Sequence, residues 1–216
     1  MTERGLFVTL EGGEGAGKST LLRSLVAALR AAGRDFVATR EPGGTPEGEA
    51  LRRMLLGAAP GSWEPMGETL LHYAARAQHV ARVIRPALAR GAIVLSDRFA
   101  DSTMVYQGYG LGVACEAIAA IHRAVLGEFS PDLTVVLDVP VEVGLARVAR
   151  HRAPDRYEAD ARAFHERVRQ GFLAVAAANP GRCVVVDATQ PEEEVRDSVL
   201  RLIADRLAIP LAAGLA

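Results

Sequence analysis

The segment Gly12-Gly13-Glu14-Gly15-Ala16-Gly17-Lys18-Ser19 sits between an apolar run at residues 6–10 and a stretch in which Leu21, Leu22, Leu25, Val26 and Leu29 recur at helical spacing before Gly33. A strand, a glycine loop and a helix in immediate succession leave few folds open, because the chain must turn from a sheet straight into a helix that covers it. In that setting G-x-x-x-x-G-K-[ST] is a phosphate-binding loop. Its glycines let backbone N–H groups curl around phosphate oxygens, and the helix N-terminus adds a positive dipole. Lys18 reaches the β- and γ-phosphates and Ser19 ligates Mg2+. Among the 25 lysines and arginines of the chain, Lys18 is the only lysine. Position 18 therefore requires a compact ammonium on a flexible stem, which a planar guanidinium does not replace. Gly12, Gly13, Glu14, Gly15, Ala16, Gly17, Lys18, Ser19 and Thr20 are expected to bind the phosphates of a nucleotide.

A length of 216 residues suits one α/β domain over 1–216, large enough to bury about 70% of its unfolded surface. Half the residues are hydrophobic and the formal net charge is −1, which argues against a disordered tail and a general nucleic-acid binder. With no run of 18 apolar residues and no signal-peptide pattern, the expectation is a soluble, cytoplasmic protein without membrane contact. Cys115 and Cys183 lie outside any C-x-x-C spacing and are expected as reduced thiols.

Strand-like runs recur at 6–10, 36–39, 93–96, 133–137 and 183–186, with helical stretches at 67–89, 114–126, 141–150, 162–178 and 192–207. That alternation predicts a five-stranded parallel sheet with helices on both faces. Segments 57–67, 108–112 and 147–160 are expected to be mobile. Ligands of such sheets bind beyond the carboxyl ends of the strands. There the second strand meets Arg40-Glu41-Pro42-Gly43-Gly44-Thr45, expected to be a rigid, exposed turn, and the third ends in Ser96-Asp97-Arg98-Phe99. Asp97 is placed to hold Mg2+ through water, and Arg98 to grip a second phosphate. Arg147, Arg150, Arg152 and Arg156 cluster around Pro154, either as a solvated helix face or as a lid that neutralises a transferring phosphoryl group.

These pieces resemble the bacterial thymidylate kinases of the P-loop NTPase superfamily. The likeness is carried by Leu10 to Ser19, Thr39 to Thr45, Tyr73-Ala74-Ala75-Arg76, Asp97-Arg98-Phe99 and Ser102-Thr103-Met104-Val105-Tyr106-Gln107-Gly108. It extends over Ala124 to Gly127, Pro131 to Thr134, Leu137-Asp138-Val139 and Asp187-Ala188-Thr189-Gln190-Pro191. The resemblance implies a three-layer α/β sandwich, ATP as the nucleotide at residues 12–20, transfer of its γ-phosphate to dTMP for dTTP synthesis, Mg2+ on Ser19 and Asp97, and a homodimer. It implies that Arg98 holds the dTMP phosphate with Arg40 nearby, and that Glu14 meets the 3′-hydroxyl or the phosphate region. Arg76 would donate to a thymine carbonyl, and Thr103 would meet the base edge. Tyr106 would occupy the space of a 2′-hydroxyl, and Gln107 would line the pocket with Glu41, Pro42 and Ser102. Adenine would lie between the lid and residues 188–191, beside Ala188 and Gln190. A P-loop without arginine implies that the catalytic arginine comes from the lid, as Arg150, Arg152 or Arg156.

Two positions depart from the family pattern. His72 stands where a phenylalanine usually stacks on thymine, and His151 where a lid arginine often falls. With an ordinary pKa of about 6.5, His72 is expected to make dTMP binding pH-dependent between roughly 5.5 and 7.5. His79, His122 and His165 lack metal-ligand spacing and are expected to be structural or surface residues. A kinase for another nucleoside monophosphate is the alternative within the class. A hydrolytic P-loop switch is disfavoured, because a guanine-reading Asn-Lys-x-Asp needs a second lysine.

Overall fold

A computed structural model of the chain describes residues 5–59, 61–149 and 158–207. Strands β1 (Phe7–Glu11), β2 (Phe36–Arg40), β3 (Ile93–Asp97), β4 (Leu133–Asp138) and β5 (Cys183–Asp187) form one parallel sheet in the order β2-β3-β1-β4-β5. β1 is central and buried at every residue, so the loop that follows it opens in the middle of the sheet edge. Each strand runs one residue past its apolar run, to Glu11, Arg40, Asp97, Asp138 or Asp187. Pairing continues through these charged ends, as in Leu10 opposite Asp97 and Asp138 opposite Asp187. Five ionisable side chains therefore line the ligand edge.

Side chains alternate between faces along a strand, and the cores follow that alternation. Val8 and Leu10 of β1 pack with Leu21, Leu25 and Leu29 of α1 (Lys18–Ala31) and with Val199 and Ile203 of α9 (Glu192–Leu207). Phe7 faces the other layer, where it meets Ile84, Leu88 and Phe99. Thr9 and Glu11 share the parity of Phe7 and are fully buried on that second face. The remaining helices are α2 (Pro46–Gly57), α3 (Pro65–His79), α4 (Arg85–Ala89), α5 (Ala100–Thr103), α6 (Cys115–Leu126), α7 (Val141–Ala149) and α8 (Glu158–Ala178). A π-helical turn at Val80–Ile84 joins α3 to α4, just before Pro86, whose ring and missing N–H do not fit an unbroken α-helix.

The sequence expectations missed α2 and the helical stretch of α5 with its π-helical continuation. α2 begins where Thr45 accepts a hydrogen bond from the Gly48 N–H, with Pro46 at the first helical position, a helix-start signal present in the sequence. The turn before it, expected to be exposed, is buried at Glu41, Gly43 and Thr45, because α2 and α3 pack over it. Residues 108–110, expected to be mobile, belong to a π-helical segment, Met104–Gly110, that continues α5. A side chain at Gly110 would strike the Phe164 ring, so that glycine permits close packing against α8. Much of the expected lid lies outside the described residues, including Arg150, His151, Arg152 and Arg156.

Candidate active site

The phosphate loop is held by backbone conformation and by its own lysine. Gly12 and Gly15 have φ of 134° and 67°, and a side chain at either would meet the carbonyl of Leu137 or Gly144. Lys18 donates to the Gly12 and Gly13 carbonyls at 2.9 and 2.8 Å. Burial, and then the Arg98 charge, push its pKa down to about 7. The Ser19 hydroxyl donates to Asp97 at 2.9 Å, so the two expected Mg2+ residues meet at the tip of β3. Arg40 is bound instead to Glu49, at 3.1 Å. It lines the groove of Ser19 and Asp97 rather than the cavity of Arg98.

Two cavities flank this loop. One, of about 280 Å3, is walled by Ala16, Gly17, Thr20, Arg147, Ala188 and Gln190. Arg147 donates to the Gly15 carbonyl at 3.3 Å and the Ala188 carbonyl at 3.1 Å, joining the phosphate loop to the loop after β5. Asp187 shapes that second loop by accepting from the Thr189 N–H and hydroxyl and from Gln190.

The other cavity, of about 230 Å3, collects every expected acceptor residue except Arg40: Glu14, Glu41, Pro42, His72, Arg76, Arg98, Ser102, Thr103, Tyr106 and Gln107. Arg98 donates to the Gly12 carbonyl at 3.2 Å, to Ser102 at 3.0 Å and to the Tyr106 hydroxyl at 3.0 Å. Arg76 is 2% exposed. It donates to Glu41, to the Phe99 carbonyl and to Thr103, while its Nη1 is buried with no partner. A buried guanidinium nitrogen beside a cavity is a donor that a ligand oxygen or a water can satisfy.

The geometry matches proteins of known activity along nearly the whole chain. A family profile described as thymidylate kinase matches residues 10–199. The chain belongs to the thymidylate kinase family. A thymidylate kinase of Caulobacter vibrioides is 50% identical over 206 residues, which span 95% of this chain and 99% of that protein. A Pseudomonas fluorescens thymidylate kinase is 53% identical over 203 residues, spanning 94% and 97%. The crystal structure of thymidylate kinase from Ehrlichia chaffeensis superimposes with a TM-score of 0.74 at 33% identity, covering 93% of this chain and 98% of that one. The thymidylate kinase fold, a parallel sheet between helical layers, is the architecture expected from the sequence.

Against the thymidylate kinase pattern, one expectation is corrected. Burial, and then the Arg76 charge, lower the His72 pKa to about 4, so the ring is neutral throughout the window in which it was expected to titrate. Its contact with Glu68 at 3.9 Å is accordingly not an ion pair. Glu68 itself was overlooked. It lines the cavity and accepts from Gln107 at 2.8 Å. Its i, i+4, i+8 spacing with His72 and Arg76 puts all three on one face of α3, a signal present in the sequence. His79 is structural, one of the two roles expected of it: it is fully buried and bonded to Glu41 at 2.9 Å and Thr39 at 2.7 Å.

Proposed function

We propose that this protein transfers the γ-phosphate of ATP to dTMP, giving ADP and dTDP, in dTTP synthesis. The observation that carries this reading is the hydrogen bond from Arg98 to the Gly12 carbonyl. The arginine of the acceptor cavity thereby touches the loop that cradles the donor phosphates. Phosphoryl transfer needs two phosphates in line and their charge neutralised, with little covalent help. Lys18 and the loop N–H groups hold the donor, and Arg98 orients the acceptor phosphate, which is already ionised and needs no general base. A lid arginine, Arg150, Arg152 or Arg156, supplies the remaining charge. Arg76 Nη1 donates to a thymine carbonyl, His72 stacks on the base as a neutral ring, and Tyr106 closes the space of a 2′-hydroxyl. Adenine occupies the cavity between Arg147 and residues 188–190.

Ser19 and Asp97 offer two hard oxygen donors in contact beside the phosphate loop, which fits Mg2+. Bound there, Mg2+ would neutralise charge on the β- and γ-phosphate oxygens. Met66 and Leu70, one turn apart on α3, are 39% and 52% exposed, and they support a homodimer through that helix. No helix among the described residues is long and apolar enough to cross a membrane. The proposed location is the cytoplasm, with its nucleotide substrates.

A coupled ADP-release assay with dTMP, dUMP, UMP, CMP, GMP and AMP tests the reading, with an acceptor-free control. dTMP is expected to be the best acceptor. Comparable turnover of UMP, or ADP release without any acceptor, would overturn it.

A further inference from the structure

We propose that Glu11 is a positioning residue for acceptor binding: its carboxylate clamps the turn that presents Arg98. Among the described residues, Arg98 is the only one besides glycine with a positive φ, 72°. A side chain with a Cβ disfavours that conformation, so the surroundings must hold it. The Arg98 N–H donates to the Leu10 carbonyl at 3.0 Å, and the Ser96 hydroxyl donates to the Arg98 carbonyl at 2.8 Å. The next two bonds both end on Glu11. The Phe99 N–H donates to Oε1 at 2.7 Å, and the Ser102 hydroxyl donates to Oε2 at 2.6 Å. That hydroxyl in turn accepts from Arg98 Nη1 at 3.0 Å. Both carboxylate oxygens of Glu11 are thus engaged on the two ends of the turn, and the arginine is reached through Ser102.

The chemistry requires a carboxylate at this point. Both partners are donors, and only an ionised carboxyl presents two acceptor oxygens. A glutamine would turn one acceptor into an NH2 donor, so the Ser102 hydroxyl, which already accepts from Arg98, would lose the oxygen to which it donates. Glu11 is completely buried and, among the described residues, has no ion-pair partner in contact. Burial, then Asp101, raise its pKa to about 7 against the lowering influence of Arg98 and of the Ser102 and Phe99 bonds. Lys18 of the phosphate loop and Arg182 before β5 also feel its charge. The clamp is complete when Glu11 is ionised and loses an acceptor when it is protonated.

The inference rests on Arg98 as the acceptor-phosphate ligand, so Arg98→Ala is measured alongside Glu11→Gln. Glu11→Gln should lower kcat/KM for dTMP about tenfold at a pH of about 8.5, with a smaller rise in the ATP KM, since the Glu11 charge also supports that of Lys18. Protonated glutamate and glutamine are neutral near-isosteres, so the wild-type to variant ratio should shrink toward one at a pH of about 6. Because it is a ratio, ionisation of the acceptor phosphate cancels. A ratio that does not change with pH, or an equal loss on the ATP side, would overturn the proposal. An acceptor-specific defect in Arg98→Ala with none in Glu11→Gln would remove Glu11 and leave the proposed function standing. No acceptor defect in Arg98→Ala would remove both. Should Glu11→Gln fail to fold, Glu11→Asp keeps the charge, shortens its reach by one methylene, and carries the same acceptor-only test.

Discussion

Arg76 and Glu41 meet at 2.7 Å while their side chains are only 2% and 4% exposed. The second oxygen of Glu41 is bonded to His79 at 2.9 Å. Burial alone would raise the Glu41 pKa, but Arg76 and then His79 outweigh it and hold the carboxyl below its usual range. Glu41 thus fixes Arg76 at the wall of the cavity that Arg98 also lines. Arg76→Lys keeps a charge beside Glu41 but loses the planar fork. It should raise the dTMP KM about tenfold or more, the scale of a lost hydrogen bond to a charged group, with little change for ATP. An unchanged dTMP KM would show that Nη1 does not meet the base.

Lys18→Ala and Lys18→Arg should each lower kcat by about 100-fold or more, the scale of one preorganised charge contact. The ammonium lies between the Gly12 and Gly13 carbonyls in a site that leaves Lys18 8% exposed, and a planar guanidinium does not reproduce that compact charge. Its pKa of about 7 also gives a sign. Bound triphosphate favours the charged form, so ATP binding should take up protons near neutral pH, and affinity should fall as pH rises above that value. Calorimetry in buffers of different ionisation enthalpy measures the uptake; none in the wild type, or equal uptake in Lys18→Ala, would remove Lys18 as its source.

For His72, a pKa of about 4 predicts that its own protonation leaves the dTMP KM flat from about pH 5.5 to 7.5. His72→Phe should leave the shape of that profile unchanged and bind dTMP equally or better, since a larger apolar face adds stacking area. A tenfold loss of affinity would reveal a specific hydrogen bond from the imidazole.

Arg147 and the lid arginines should separate in kinetics. Arg147 joins Gly15 to Ala188, so Arg147→Ala should raise the ATP KM and spare the dTMP KM. Among Arg150→Ala, Arg152→Ala and Arg156→Ala, at least one should lower kcat strongly with modest KM changes, the mark of a contact made in the transition state. Three near-neutral variants would return the segment to a solvated helix face.

Beyond the active site, Arg182 grips Asp101 with two bonds of 2.6 and 2.8 Å and also reaches Thr134. Arg182→Ala strands a carboxylate that is 9% exposed, and should cost about 3 kcal/mol of stability by urea unfolding. A loss well under about 1 kcal/mol would mean that water replaces the guanidinium.

The phosphate-loop motif and the order of the strands along the chain were legible in the sequence, because each rests on local order. A glycine pattern between a strand and a helix, and apolar runs of strand length, carry their meaning within about ten residues. Spacing within one helix would likewise have shown Glu68 beside His72 and Arg76. Other features depend on groups far apart in the chain. Glu11 meets Ser102 across 91 positions, and Glu41 meets Arg76 across 35. The His72 pKa follows from how deeply the folded chain buries the ring beside Arg76. Burial and long-range charge are properties of the packed molecule, since desolvation exists only once other segments have displaced water. The sequence by itself determined that a phosphate-loop motif follows the first strand. Tertiary packing decided which carboxylates hold the arginines and which histidine stays neutral.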